Sequence, residues 1–337
     1  MTSLRSVTGI ALVALVGLIL GGLALPEWAM FLVTIALAKG LVALGLVALM
    51  RGGLVSFGQG LYYCVGAYAA GFMANWFGIT DVFLLTLVAI LLSAGLGAIF
   101  GPLLATYRGI FFAMLSLSLS MILYGVLSKM SVIGGTDGLN IAAPTFLGYA
   151  PEGWALGLSL YLFTAVATVI AGALMRVFFD SERGLISLAV RDNELRVEYL
   201  GESVRRVVTI NYIFAAMLGG IGQAGTGFGL GIGHVDPEYA YWTTSGEFVF
   251  VAILSGHLSI AAVFFSSILL EVVRSFSSLY FPNTWQLSLG VFLLIVIFLL
   301  PGGIGSIKLP WKRRDSADKK VRKAASMLPC QRARCGA

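Results

Sequence analysis

Arg176–Arg206 reads RVFFDSERGLISLAVRDNELRVEYLGESVRR, with six Arg and six Asp or Glu. The whole 337-residue chain has only 22 Lys or Arg and 16 Asp or Glu, so close to a third of its charge sits in this interval. Long apolar runs lie on both sides. An acidic–basic interval enclosed by membrane-length runs reads as a folded loop in the aqueous phase, and this one carries helix signals. Leu185, Leu188, Ala189, Leu195 and Tyr199 fall on a 3.6-residue spacing, and Gly201 stands where a C′ residue would end the helix. A short amphipathic helix between two spans offers a surface to a partner.

The runs on either side decide the class. Hydrophobic residues make up 58% of the chain and charged residues 11%, against roughly 25% charged in ordinary soluble domains. Several apolar runs are about 20 residues long, the length that crosses a hydrocarbon core of roughly 30 Å. No segment alternates with period two, which argues against a β-barrel. The expectation is an all-α polytopic membrane protein with eight to ten spans. Candidates lie near 7–25, 30–50, 61–75, 83–106, 109–128, 156–178, 207–227, 246–257, 259–280 and 285–300, with 246–257 conspicuously short. Residues 1–25 resemble a signal peptide, but the apolar run is too long and lacks a small-x-small cleavage site, so it reads as the first span. Residues 1–306 form the membrane domain, and 307–337 a basic tail whose composition predicts disorder.

Charge sets the topology. The net charge is +6, but the tail from Lys308 carries ten Lys or Arg and two Asp, leaving a slightly acidic body. That excludes a nucleic-acid-binding body and points to the positive-inside bias. With ten spans and both ends inside, Arg5, Arg51, Arg108, the six Arg of 176–206 and the tail are cytoplasmic. Only Lys129 falls outside, while Lys39 and Arg274 fall within spans. The three Cys suggest neither a disulfide frame nor a zinc site.

Three constellations could carry function. Arg51-Gly-Gly-Leu-Val-Ser-Phe-Gly-Gln-Gly60 has enough glycine to weaken a membrane helix. Either helices pack closely there through small residues, or a broken helix lines a cavity in which Ser56 and Gln59 meet a polar solute. Gly134-Gly-Thr136-Asp137-Gly138, in an outer loop, is either a tight turn or a gate or docking surface. Within spans, Lys39 snorkels or pairs, Glu247 begins a span, and Glu271 and Arg274 are spaced to meet on one helical face. Ser56, Gln59, Thr136, Asp137 and Glu247 are the candidate translocation-path residues. No P-loop and no GxSxG nucleophile motif occurs, and no case for an enzyme active site emerges.

The chain resembles the LivM-type permeases of bacterial ABC importers for branched-chain amino acids and related solutes. Four places carry the likeness, in the family's order: Gly53-Leu-Val-Ser-Phe-Gly-Gln-Gly60 with Gly66-Ala-Tyr68; Arg108-Gly-Ile-Phe-Phe-Ala-Met114 with Gly134-Gly-Thr-Asp-Gly-Leu139; Arg183-Gly-Leu, Ala189-Val-Arg-Asp-Asn-Glu194 and Leu200-Gly201; and Val235-Asp-Pro-Glu238 with Leu300-Pro-Gly-Gly303. The resemblance implies the all-helical permease fold in the bacterial inner membrane. It implies that the central loop is the segment docking on an ATPase, with Arg183, Gly184, Arg191, Asp192, Glu194 and Gly201 shaping or orienting it. It also implies partners: two ABC ATPase subunits that bind ATP–Mg, so that this chain needs no cofactor of its own; a second, related permease; a periplasmic solute-binding protein; and membrane lipid. The chain departs from the family at Leu254-Ser-Gly-His-Leu258, where a Gly-rich stretch is usual. A transporter or channel driven by an ion gradient, with Lys39, Glu247 and Glu271 as ion or proton sites, is the rival reading.

Overall fold

The computed structural model describes residues 4–224, 233–256, 259–299 and Gly303. The His257-Leu258 departure, most of Leu300–Gly303 and the basic tail lie outside the described residues. The helices are α1 (Leu4–Ala24), α2 (Glu27–Arg51), α3 (Gln59–Phe77), α4 (Val82–Leu104), α5 (Gly109–Lys129), α6 (Trp154–Asp180), α7 (Glu182–Asp192), α8 (Glu194–Tyr199), α9 (Val204–Ala224), α10 (Trp242–Ser255), α11 (Ile260–Tyr280) and α12 (Trp285–Leu299). A two-residue antiparallel ribbon joins β1 (Leu139–Asn140) to β2 (His234–Val235). Among the described residues, α2, α4, α5, α6, α9 and α11 are each long and apolar enough to cross a membrane. The protein is therefore all-α and polytopic.

The bundle is built around α2, which α6, α9, α10 and α11 surround. It is the most fully enclosed of the long apolar helices. Lipid tails are as apolar as leucine, so helix association in a membrane depends on close packing rather than on hydrophobic transfer. The seams of α9 show this. A Cβ on Gly45 of α2 would lie 2.9 Å from the Ala215 Cα and O atoms. One on Gly66 of α3 would lie 2.5 Å from the Gly220 carbonyl oxygen. By contrast α5 turns Ile110, Phe111, Met114, Ile122 and Val126 outward.

Two segments dip into the bundle from opposite ends. After α2, residues 52–58 run without helix; the Phe57 N–H donates to Ser116 Oγ at 3.1 Å and the Gly60 N–H to Ser245 Oγ at 3.1 Å. From the other end, the 3-10 turn Pro237–Ala240 packs on α3 and α5, and Ser120 Oγ donates to the Ala240 carbonyl at 2.7 Å. Ser120 lies about 16 Å along α5 from Gly109, roughly halfway through a 30 Å core. The non-helical segments thus meet near mid-depth, where protein covers their backbone polar groups, as irregular backbone in a membrane requires. Val235, Ala240 and Ser245 are fully buried, so the segment leading into α10 lies partly within the bundle. This explains why α10 is short, since it begins inside the bundle.

Candidate coupling surface and membrane-embedded polar centre

The charged interval folds as two helices rather than one. Asn193 breaks the run with extended φ and ψ of −162° and 105°, and its side-chain oxygen accepts from the Arg196 N–H at 3.1 Å as the N-cap of α8. Ser181 caps α7 by accepting from the Gly184 N–H. Gly201 follows α8 at φ +89°, a conformation that glycine adopts without Cβ strain.

The expected apolar stripe does not face the protein. Leu185, Leu195 and Tyr199 are 56%, 64% and 88% exposed, and Leu200 is 84% exposed. The buried positions are instead Gly184, Ser187, Val190 and Val197. The backbone of Gly184 lies against Phe178 and Phe179 at the α6–α7 corner. Ser187 Oγ accepts from Asn211 Nδ2 of α9 at 2.8 Å. Arg191 lies against Gly53, whose φ is +77°. Spacing alone identifies an apolar face; it cannot say whether this chain or another covers it.

Glu194 is engaged within the chain. Arg108 Nε donates to both of its carboxylate oxygens, at 2.7 and 2.9 Å, while Arg108 Nη1 donates to the Ala105 and Tyr107 carbonyls. The pair fastens α8 to the turn between α4 and α5. Arg205 adds a second tie at that end by donating to the Pro102 carbonyl. Arg183 and Asp192 are exposed. Both partners of the Arg108–Glu194 bridge are partly exposed, so solvent screening limits it to roughly 0.5–1 kcal/mol. Arg108→Gln and Glu194→Gln are each expected to lower stability by about that amount, and the double variant by little more. Additive losses in a double-mutant cycle would show that the two side chains act independently.

Deep in the bundle four charges form one network. Lys39 Nζ of α2 donates to Glu271 Oε2 of α11 at 2.8 Å and to Glu247 Oε2 of α10 at 3.3 Å. The same Glu247 oxygen accepts from Arg274 Nη1 at 2.6 Å. Lys39, Glu247 and Glu271 are 4%, 7% and 8% exposed, and the Arg274 guanidinium lies 5.3 Å from the Trp285 ring centroid. Lys39 is therefore paired rather than snorkelling. Arg274 reaches Glu247 across helices instead of Glu271 on its own helix, and Lys39 bridges both glutamates. The two positive and two negative groups neutralise one another.

The remaining candidates are spread out. Ser56 is fully buried, and its Oγ accepts from the Gly58 N–H. Gln59 is also fully buried, and neither its amide nitrogen nor its oxygen has a partner among the described residues. Its oxygen faces Gly219 of α9. Thr136 and Asp137 are exposed on a 3-10 turn beside the ribbon, at the opposite end of the bundle from α7 and α8. The structure thus groups Lys39, Glu247, Glu271 and Arg274, places Ser56 and Gln59 at the inward-dipping loop, and separates both from Thr136 and Asp137. Sequence reading missed Arg108 as the partner of Glu194; its place in the Arg108–Met114 motif was the available signal.

Residues 28–300 match the family model described as the permease component of branched-chain amino acid transport systems. The high-affinity branched-chain amino acid transport system permease protein LivM of Escherichia coli (strain K12) is 27% identical over 287 residues, covering 78% of this chain and 67% of that protein. LivM of Salmonella typhimurium (strain LT2) is 26% identical over 307 residues, covering 84% and 71%. No solved structure matches the chain. The apolar helices and these relatives mark a multi-pass protein of the bacterial inner membrane. With the family model spanning most of its length, the chain belongs to the branched-chain amino acid permease family.

Proposed function

We propose that this permease is the membrane-spanning subunit of an ABC importer, carries branched-chain or chemically related amino acids, and docks on an ATPase subunit through α7 and α8. The observation that carries the reading is the exposed apolar set Leu185, Leu195, Tyr199 and Leu200, on helices whose other faces are fastened to the bundle. A large apolar patch rimmed by charge on a polar loop is a surface for another protein. Arg183 and Asp192 at its edge would orient the partner, and Gly201 would let the chain turn back into α9.

Two ATPase subunits that bind ATP–Mg, a second permease and a periplasmic binding protein complete the importer. The asymmetry of Lys and Arg between the two sides, with Arg51, Arg108 and the six Arg of 176–206 on one and Lys129 on the other, supports a cytoplasmic position for this loop, with both chain ends on the same side. Closure of the ATPases would move α7 and α8. The ties of Ser187 to Asn211, Arg191 to Gly53 and Glu194 to Arg108 would pass that movement to α9, to the α2–α3 loop and to α5, so that one arrangement of the spans is favoured over another. The mutual neutralisation of the buried charges supports this reading over an ion-driven carrier, which needs a site free to take an ion.

The test is Leu195→Asp with Tyr199→Asp. Both side chains are exposed, so folding and membrane insertion should be unchanged. Co-purification of the ATPase subunit is expected to fall at least fivefold, and solute uptake with it. A variant that keeps its ATPase and its uptake would overturn the docking assignment.

A further inference from the structure

A cavity of about 290 Å³ opens along the membrane-spanning part of the bundle between α1, α6 and α11. Small side chains widen it: Ala11 and Ala14 on one wall, Gly172 and Ala173 on another. Leu37 and Phe264 also line it, and Arg176 lies at the end nearer α7. Arg176 makes no ion pair or hydrogen bond among the described residues, and its Nε is buried without a partner.

An apolar groove at this level of a membrane protein is filled by hydrocarbon, because water gains no hydrogen bonds from its walls. An unpaired guanidinium at its polar end favours a hydrocarbon chain that ends in an anion. Arg presents a planar fork that fits phosphate oxygens bidentately, and a charge-assisted pair would satisfy the buried Nε. From Arg176 the groove follows α6 to Thr168, a length of about 12 Å, which takes most of one acyl chain within a single leaflet of a 30 Å core.

We propose that this groove is a binding site for one anionic glycerophospholipid of the leaflet on the α7–α8 side, with its phosphate on Arg176 and one acyl chain between α1, α6 and α11. The lipid spans the α1–α6 pair and the α11 helix that carries Glu271 and Arg274, so it completes the packing of α1 against the bundle.

The test is native mass spectrometry of the full chain in its importer complex, delipidated and titrated with phosphatidylglycerol or phosphatidylcholine. The wild type is expected to hold one more phosphatidylglycerol than Arg176→Gln does, with at least fivefold preference over phosphatidylcholine. Gly172→Phe, which fills the groove and keeps the arginine, is expected to lose the same lipid. Arg176→Gln changes one partly exposed side chain and tests the headgroup even where Gly172→Phe fails to fold. Equal phosphatidylglycerol retention by the wild type and Arg176→Gln would overturn the site. So would lipid uptake that appears only after removal of residues 307–337, since the basic tail would then be the occupant.

Discussion

Replacing Lys39 with methionine is expected to destabilise the protein by about 3–5 kcal/mol, the usual cost of removing one partner of a buried ion pair. Methionine keeps the length and apolar volume of the lysine stem but leaves Glu271 without a cation and Glu247 with Arg274 alone. The side chains of Lys39 and both glutamates are no more than 10% exposed, so water cannot stand in for the ammonium. A loss of this size is a large part of a total stability of roughly 5–15 kcal/mol. Unfolding in mixed micelles would measure it. Adding Glu271→Gln to Lys39→Met should recover part of the loss, because the stranded carboxylate is then gone while Arg274 still serves Glu247. A Lys39→Met chain as stable as the wild type would mean that the network contributes nothing to the fold.

Gly60→Val is expected to abolish transport, by more than tenfold, at the point where the two dipping segments meet. A Cβ at Gly60 would lie 2.6 Å from Ser245 Oγ and 2.9 Å from the Tyr239 carbonyl oxygen. The carbonyl cannot yield without moving the Pro237–Ala240 turn off Ser120. Overpacking of this kind typically costs 1–3 kcal/mol, and the shift would also strain the Gly60 hydrogen bond to Ser245. Gly125→Val is the matched control: a Cβ there meets nothing within 4 Å, and uptake should stay near normal. Full uptake by Gly60→Val would show that the junction can open without effect on the path.

Helix class, approximate spans and the weakness of the chain near Gly52–Gly58 were legible in the sequence, because hydropathy over about 20 residues and glycine content are local properties. So was the presence of charges within spans. Their pairing was not. The spacing of Glu271 and Arg274 suggests a bond within one helix, yet Lys39, distant in sequence, bridges Glu271 and Glu247, and Arg274 bonds Glu247 on another helix. The central loop shows a similar limit. Periodicity locates the apolar residues of 185–199 but not the Asn193 break, which depends on a cap, nor the fact that Gly184, Ser187 and Val190 are the inward face. The burial of Val235, Pro237 and Ala240 also escaped local reading, since a polar Asp-Pro-Glu segment looks like a surface loop until its turn finds α3 and α5.

The break at Asn193 has a mechanical implication. Because α7 is fastened to α9 and the α2–α3 loop, and α8 to the turn before α5, the pair behaves as two jointed arms rather than one rod. A push that bends the joint changes the distance between two sectors of the bundle, whereas a push that shifts both arms together leaves it unchanged. Such a joint would let the protein tell the closing stroke of a partner from its mere attachment.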